Sequence, residues 1–270
     1  MKGATFLFFL IIISLQILKS QCYNHNKAYR IGEKIEYEVV YSWGPVWVPA
    51  GTVTFEVSGA KYKEKPVFYF HSFGTSYKSY DWFYKVRDYF ESYVDTMTLQ
   101  TLWASRNSIE GSNLVFEDYT FNHSFNKLYA TIQTTDIPRR SDTLNLAKCL
   151  NDLVSAIYYV RNIDFSKCKI NEKIPFWVII VDKTYPLYIR YLGKEVFTTR
   201  DNHKYNCIKF SSKLVEGTIF KDGEDLKVWV TDDENHIALQ VEAEILVGSV
   251  KAVLKNAENL RNPMSSRKLQ

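Results

Sequence analysis

Lys34-Ile35-Glu36-Tyr37-Glu38-Val39-Val40-Tyr41 sets apolar Ile35, Tyr37, Val39 and Tyr41 in alternation with charged Lys34, Glu36 and Glu38. Successive side chains of a strand point to opposite faces, so period two with one polar face marks an antiparallel strand covering a core on one side. The pattern recurs outward from this stretch. Val53, Phe55 and Val57 alternate with Thr52, Thr54 and Glu56; Val241, Ala243 and Ile245 with Glu242 and Glu244; Val250, Ala252 and Leu254 with Lys251 and Lys255. Turn signals part the runs at Ser58-Gly59, Glu110-Gly111-Ser112-Asn113, Asp222-Gly223 and Asp232-Asp233-Glu234-Asn235. Two runs, Val67-Phe68-Tyr69-Phe70 and Phe176-Trp177-Val178-Ile179-Ile180-Val181, are apolar on both faces and need cover from a helix, a curled sheet or a ligand. The 6 Trp, 19 Tyr and 17 Phe also favour pleated, half-buried surfaces.

One segment breaks the pattern. Leu150, Leu153, Val154 and Ile157 recur at helical spacing, which predicts an amphipathic helix at about 149–161, with Asn151 or Asp152 as its cap. Residues 136–148 read as a linker into that helix, and the polar tail 259–270, with Pro263, reads as loose. The expected fold is all-β with minor α. One strongly curled antiparallel sheet over 21–258 forms a half-open or closed barrel, since neither half closes a barrel comfortably alone.

Residues 1–20 read as a secretory signal: basic Lys2, an apolar run from Phe6 to Ile13, then small and polar residues. The run is too short for a spanning helix, so no transmembrane segment is expected in the mature chain. Export to the periplasm or cell envelope follows. Lipid anchoring at Cys22 is disfavoured, because Lys19, Ser20 and Gln21 precede it where an apolar and small residues belong. Loss of Lys2 and Lys19 takes the 34 basic side chains to 32 against 30 acidic ones. So balanced a charge argues against a nucleic-acid partner and against strong steering to acidic membranes.

Several phrases then line up with a known family. Gly32-Glu33-Lys34 with Tyr37 and Tyr41, Ala50-Gly51, Tyr84, Val86, Asp88, Glu91-Ser92 and Asp95 open the match. Asp152-Leu153, Ser155-Ala156, Tyr158-Tyr159 and Arg161 continue it through the helix. Pro186-Leu187-Tyr188, Tyr191-Leu192-Gly193-Lys194-Glu195, Cys207-Ile208-Lys209-Phe210, Val228-Trp229-Val230 and Asp232-Asp233 complete it. Over about 30–256 the chain resembles the secreted bacterial domain-of-unknown-function family 3108 in its Bacteroidetes form. His203 departs from the pattern where a glycine is expected, as do His236 and Ala238 where an arginine and a proline are expected. The resemblance implies an envelope protein whose curled sheet is akin to that of lipoprotein carriers, and it implies no established activity.

No catalytic constellation is legible, and no enzyme activity is expected. No cysteine has a second cysteine or a histidine at ligand spacing, so no metal or other cofactor is expected. Cys149 and Cys168 bracket the helix and are the candidate disulfide; Cys207 reads as a small core side chain. Asp88, Glu91 and Asp95 could supply paired carboxylates, against the plainer reading of a solvated strand face. Asp232-Asp233-Glu234 reads as a turn rather than a calcium loop. Trp43 and Trp47 crowd a proline-bearing strand connection, where exposed rings would suit a portal for an apolar ligand or a lipid-interface contact. Folding back onto the core is the plainer alternative. Trp43, Trp47, Trp82, Tyr158 and Trp177 are the candidate lining of a cavity for an apolar or lipid-like ligand. An assembly factor docking another envelope protein is the competing reading.

Overall fold

The computed structural model describes residues 25–213, 226–245 and 248–268. The leader read at 1–20, Cys22 and the Asp222-Gly223 turn lie outside them. The first strands are β1 (Lys34–Trp43), β2 (Val46–Tyr62), β3 (Lys65–Ser76), β4 (Val86–Asp95), β5 (Thr101–Glu110), β6 (Asn113–Asn122), β7 (Lys127–Thr134) and β8 (Arg140–Asn145). The short β9 (Leu150–Asn151) leads into α1 (Leu153–Arg161). Then follow β10 (Lys173–Ile180), β11 (Lys183–Thr198), β12 (Lys204–Ser212), β13 (Leu226–Thr231), β14 (Ala238–Glu244) and β15 (Ser249–Glu258).

The 15 strands of the described residues form one sheet in the order β8-β7-β6-β5-β4-β3-β2-β1-β15-β14-β13-β12-β11-β10-β9. Every pairing is antiparallel except β9 with β10. The stretch read first, β1, sits at the centre, with Tyr37 opposite Val53 of β2 and Leu254 of β15. The two edges, β8 and β9, are consecutive in the chain, joined only by residues 146–149. Five residue steps reach at most roughly 18 Å, so the sheet must curl until its edges nearly meet.

No backbone ladder closes that seam; side chains bridge it. Tyr119 Oη of β6 donates to the carbonyl of Val181 at 2.8 Å, and Glu117 Oε1 accepts from the Val181 N–H at 2.9 Å. Arg140 of β8 pairs with Asp182 at 2.5 Å. Beneath these bonds Tyr119, Leu128 and Ile132 from one edge pack with Leu150 and Ile179 from the other. This explains why the β10 run is apolar on both faces: Phe176 and Val178 face the main core, while Ile179 fills the seam.

Three local expectations are corrected. The helix begins at Leu153 rather than near 149, because Cys149 takes φ 59° and Leu150-Asn151 pair with Trp177-Val178. Asp152 is its cap, accepting from the N–H groups of Val154 and Ser155 at 2.9 and 3.2 Å. The linker at 136–148 contains β8, a polar edge strand whose charges blunt an unpaired rim. The tail is packed through 268: Leu260 and Met264 join a core cluster, Ser266 is buried, and Asn262 accepts and returns bonds with Asn235 and its neighbourhood.

Candidate functional site

α1 lies inside the curl, packed on β3, β4, β9 and β10. Val154 and Tyr158 meet Phe70 and Val94 on one side, and Ala156 meets Phe176, Ile189, Phe210 and Val228 on the other. Its last residue, Arg161, is buried. Arg161 Nη1 and Nη2 donate to the two Glu33 oxygens at 2.6 and 3.0 Å; Nη2 also donates to Ala28 O at 3.1 Å and Nε to Asn235 O at 3.0 Å. Burial opposes the charge on Arg161, and the Glu33 carboxylate outweighs it, so the guanidinium pKa is raised. His236 Nδ1 donates to the Arg161 carbonyl at 2.7 Å, and burial lowers its pKa by disfavouring the charged ring. Helix, Ala28–Glu33 segment and β13–β14 turn thereby make a solid floor.

Against this floor the interior is left unfilled. A cavity of about 370 Å³ lies between α1 and the concave face of the sheet, with Tyr37, Phe55, Ile157, Phe176, Phe210 and Val228 in its wall. Ile157 is 44 % exposed although it lines this space, so solvent reaches it. Tyr158, Arg161 and His236 border the cavity at the floor. Tyr158 Oη is buried without a hydrogen-bond partner, and burial drives its pKa well above that of a free phenol.

The concave face changes character toward β4–β6. Val53, Gly74, Asp88 and Ser108 stand opposite one another in successive pairs, so they share one face with the cavity wall. Phe55, Ser72, Phe90, Arg106 and Glu117 do the same. Arg106 Nε donates to Ser108 Oγ and Nη2 to Glu110 Oε1, both at 2.8 Å; its Nη1 is 3.9 Å from Glu117. Asp88 Oδ1 has no partner, and burial, with the Glu110 charge behind it, raises the carboxyl to about 6. The interior thus has an apolar wall from β10 round to β2 and a charged wall on β4–β6. Larger hollows of about 450 and 480 Å³, beside Cys149 and beside the Asp232-Asp233-Glu234 turn, lack such an apolar wall. Among the described residues no three His, Cys, Asp or Glu side chains group as metal ligands. No helix among them is long and apolar enough to cross a membrane.

Of the five ring residues read as lining, only Tyr158 borders the cavity. The four tryptophans are corrected. Trp43 and Trp82 project into solvent and Trp177 is exposed on β10. Trp47 stacks against Arg200 and Lys251, 4.8 and 5.4 Å from its ring. Strand parity explains Trp177, since its even-numbered neighbours Phe176 and Val178 take the inner face. The Cys149–Cys168 bridge is also corrected. Cys168 is a free thiol donating to Asp164 O at 3.6 Å, whereas Cys149 is disulfide-bonded. Cys207 is buried and free, and burial pushes its thiol up to about 12. Asp88 does not share a face with Glu91, which bonds Tyr69 and Ser105 on the convex side.

The buried polar framework was not read as a site. Glu33, Ser92, Asp152, Ser155 and Arg161 form it, with Asp152 Oδ2 accepting from Ser92 at 2.7 Å. All five stand within the phrases that carried the family resemblance, and that coincidence was the available signal.

The solved structure of a beta-barrel-like protein of domain of unknown function DUF1849 from Brucella abortus is similar at TM-score 0.52 and 6% identity, over 86% of this chain and 99% of that one. At that identity the likeness shows the fold alone. No curated protein matches the sequence. The family model described as "Protein of unknown function (DUF3108)" matches residues 36–255, and with most of its length so matched the chain belongs to the DUF3108 family.

Proposed function

We propose that this is an exported protein of the bacterial cell envelope that holds an apolar, lipid-like ligand inside its curled sheet and performs no chemistry on it. The carrying observation is the unfilled apolar cavity of about 370 Å³ walled by aromatic and aliphatic side chains. That volume is toward the small end for ligand sites. It offers room for roughly a dozen water- or methylene-sized groups at about 30 Å³ each, the scale of one acyl chain. Removing such a chain from water supplies affinity at about 25 cal/mol per Å². The leader composition at 1–20 supports export.

The test is organic extraction of protein purified from its native envelope, followed by mass spectrometry, with displacement of a fluorescent fatty-acid probe as the solution assay. A stoichiometric lipid and saturable probe binding are expected. An empty extract together with no probe uptake would reject the reading and favour the interaction factor. Against that second reading, the free edge at β8 is short and charged, a poor template for an added strand.

A further inference from the structure

We propose that the end of the barrel opposite the α1 floor docks on the interface of a phospholipid bilayer through the β3–β4 connection and the β1–β2 turn. In an antiparallel meander successive connections alternate between the two ends of the sheet. The β1–β2 turn and the β3–β4 connection therefore share one end, and Tyr77 N–H bonds Ala50 O between them at 2.9 Å. The β13–β14 turn, which helps form the floor through Asn235, is at the other.

This end carries large apolar rings that nothing among the described residues covers. Trp82 is 84 % exposed, Phe83 78 % and Trp43 60 %; Val46, Tyr80 and Tyr84 are exposed beside them. The display is held rigidly rather than loosely. Asp81 accepts from Arg87 Nη2 at 2.6 Å and from Ser76 Oγ at 2.7 Å, clamping the loop at its base. Gly111 has a positive φ and no room for a Cβ against the Tyr84 ring, so the neighbouring turn seats that ring. Main-chain bonds from Phe83 and Tyr84 to Tyr80 O fix the tip.

The chemistry fits a bilayer better than a protein groove. The rings stand on two connections, β1–β2 and β3–β4, at one end of the sheet. Trp and Tyr, with an apolar body and a polar edge, concentrate where hydrocarbon meets head groups. Lys78 and Lys85, both exposed, flank the rings where they can reach lipid phosphates. Docking by this end requires no cargo in the cavity.

The experiment is flotation of the purified protein with phosphatidylcholine vesicles, with and without phosphatidylglycerol, with tryptophan quenching by brominated phosphatidylcholine as a second readout. The wild type is expected to float and to be quenched. Trp82→Ala/Phe83→Ala should lower the partition coefficient by about tenfold or more with an unchanged melting temperature, since both rings are already in water. Lys78→Gln/Lys85→Gln should weaken binding only where phosphatidylglycerol is present. A wild type that stays unbound on both vesicle types overturns the proposal, as does a ring variant that floats equally well. So does a wild-type dimer in sedimentation that the ring variant abolishes, which would make this face a contact between copies. Lipid extraction reads the cavity and flotation reads the rim, so each idea can fail alone.

Discussion

At the scale of single residues, burial sets the chemistry. Arg161 and Glu33 were taken out of water together, with every guanidinium nitrogen bonded. Arg161→Met should therefore cost about 3–5 kcal/mol in urea unfolding, because it strands the Glu33 carboxylate. Glu33→Leu/Arg161→Met should recover most of that loss, and a double variant as unstable as the single one would refute the account. Asp88 behaves differently. Its carboxyl keeps a proton to about pH 6 in the folded chain against 3.8 when free. Between those values the folded state binds more protons than the unfolded one, so stability falls as pH rises through the window. Glu117 and Asp152, whose pKa values burial also raises, add the same sign. Asp88→Asn should flatten the profile and gain about 1 kcal/mol at neutral pH, the full effect being trimmed by solvent reaching this half-buried group. Thermal melts from pH 4 to 7 check it.

Elements are held by their ends. The Asp152 carboxylate caps α1 and accepts from Ser92, tying the helix to β4. Asp152→Ala should cost about 2 kcal/mol or more, the cap accounting for roughly half and the orphaned hydroxyl for the rest. At the seam Val181 takes φ 57°, rare for a β-branched residue, with both its main-chain groups held from β6. Tyr119→Phe should lose about 1 kcal/mol and speed hydrogen exchange selectively in β8 and the β10–β11 turn. Uniform acceleration across the sheet would show instead that the seam is not a separate unit.

For the whole molecule, the decisive feature is a curl that leaves space over its floor. Ala252 lines that space from β15 and is only half-buried. Ala252→Phe should block uptake of a fatty-acid probe while leaving the melting temperature within about 2 °C, since a vacant volume accepts a ring that a packed core would not. A loss of stability of several kcal/mol would mean the wall is already filled. Ligand that binds only the folded chain should raise the melting temperature with its concentration.

Alternation along β1, β2, β14 and β15 was enough to read these segments as antiparallel strands, because side-chain direction follows residue parity, but the bulge at Val39/Val40 moves the buried position of β1 from the odd residues Ile35 and Tyr37 to Val40. The helix was legible from its spacing, and its cap was narrowed to Asn151 or Asp152, of which the structure uses Asp152. β8 was not, because an edge strand buries little and so carries little apolar pattern. Trp43, Trp47, Trp82 and Trp177 were expected to line the interior, yet none of the four borders the cavity: parity assigns a face locally, but only the curl decides which face becomes the inside. The pairing of Glu33 with Arg161, the charged wall on β4–β6 and the side-chain seam join residues far apart in the chain. Their positions depend on how the strands of one sheet curl around α1, and local sequence carries no term for that closure.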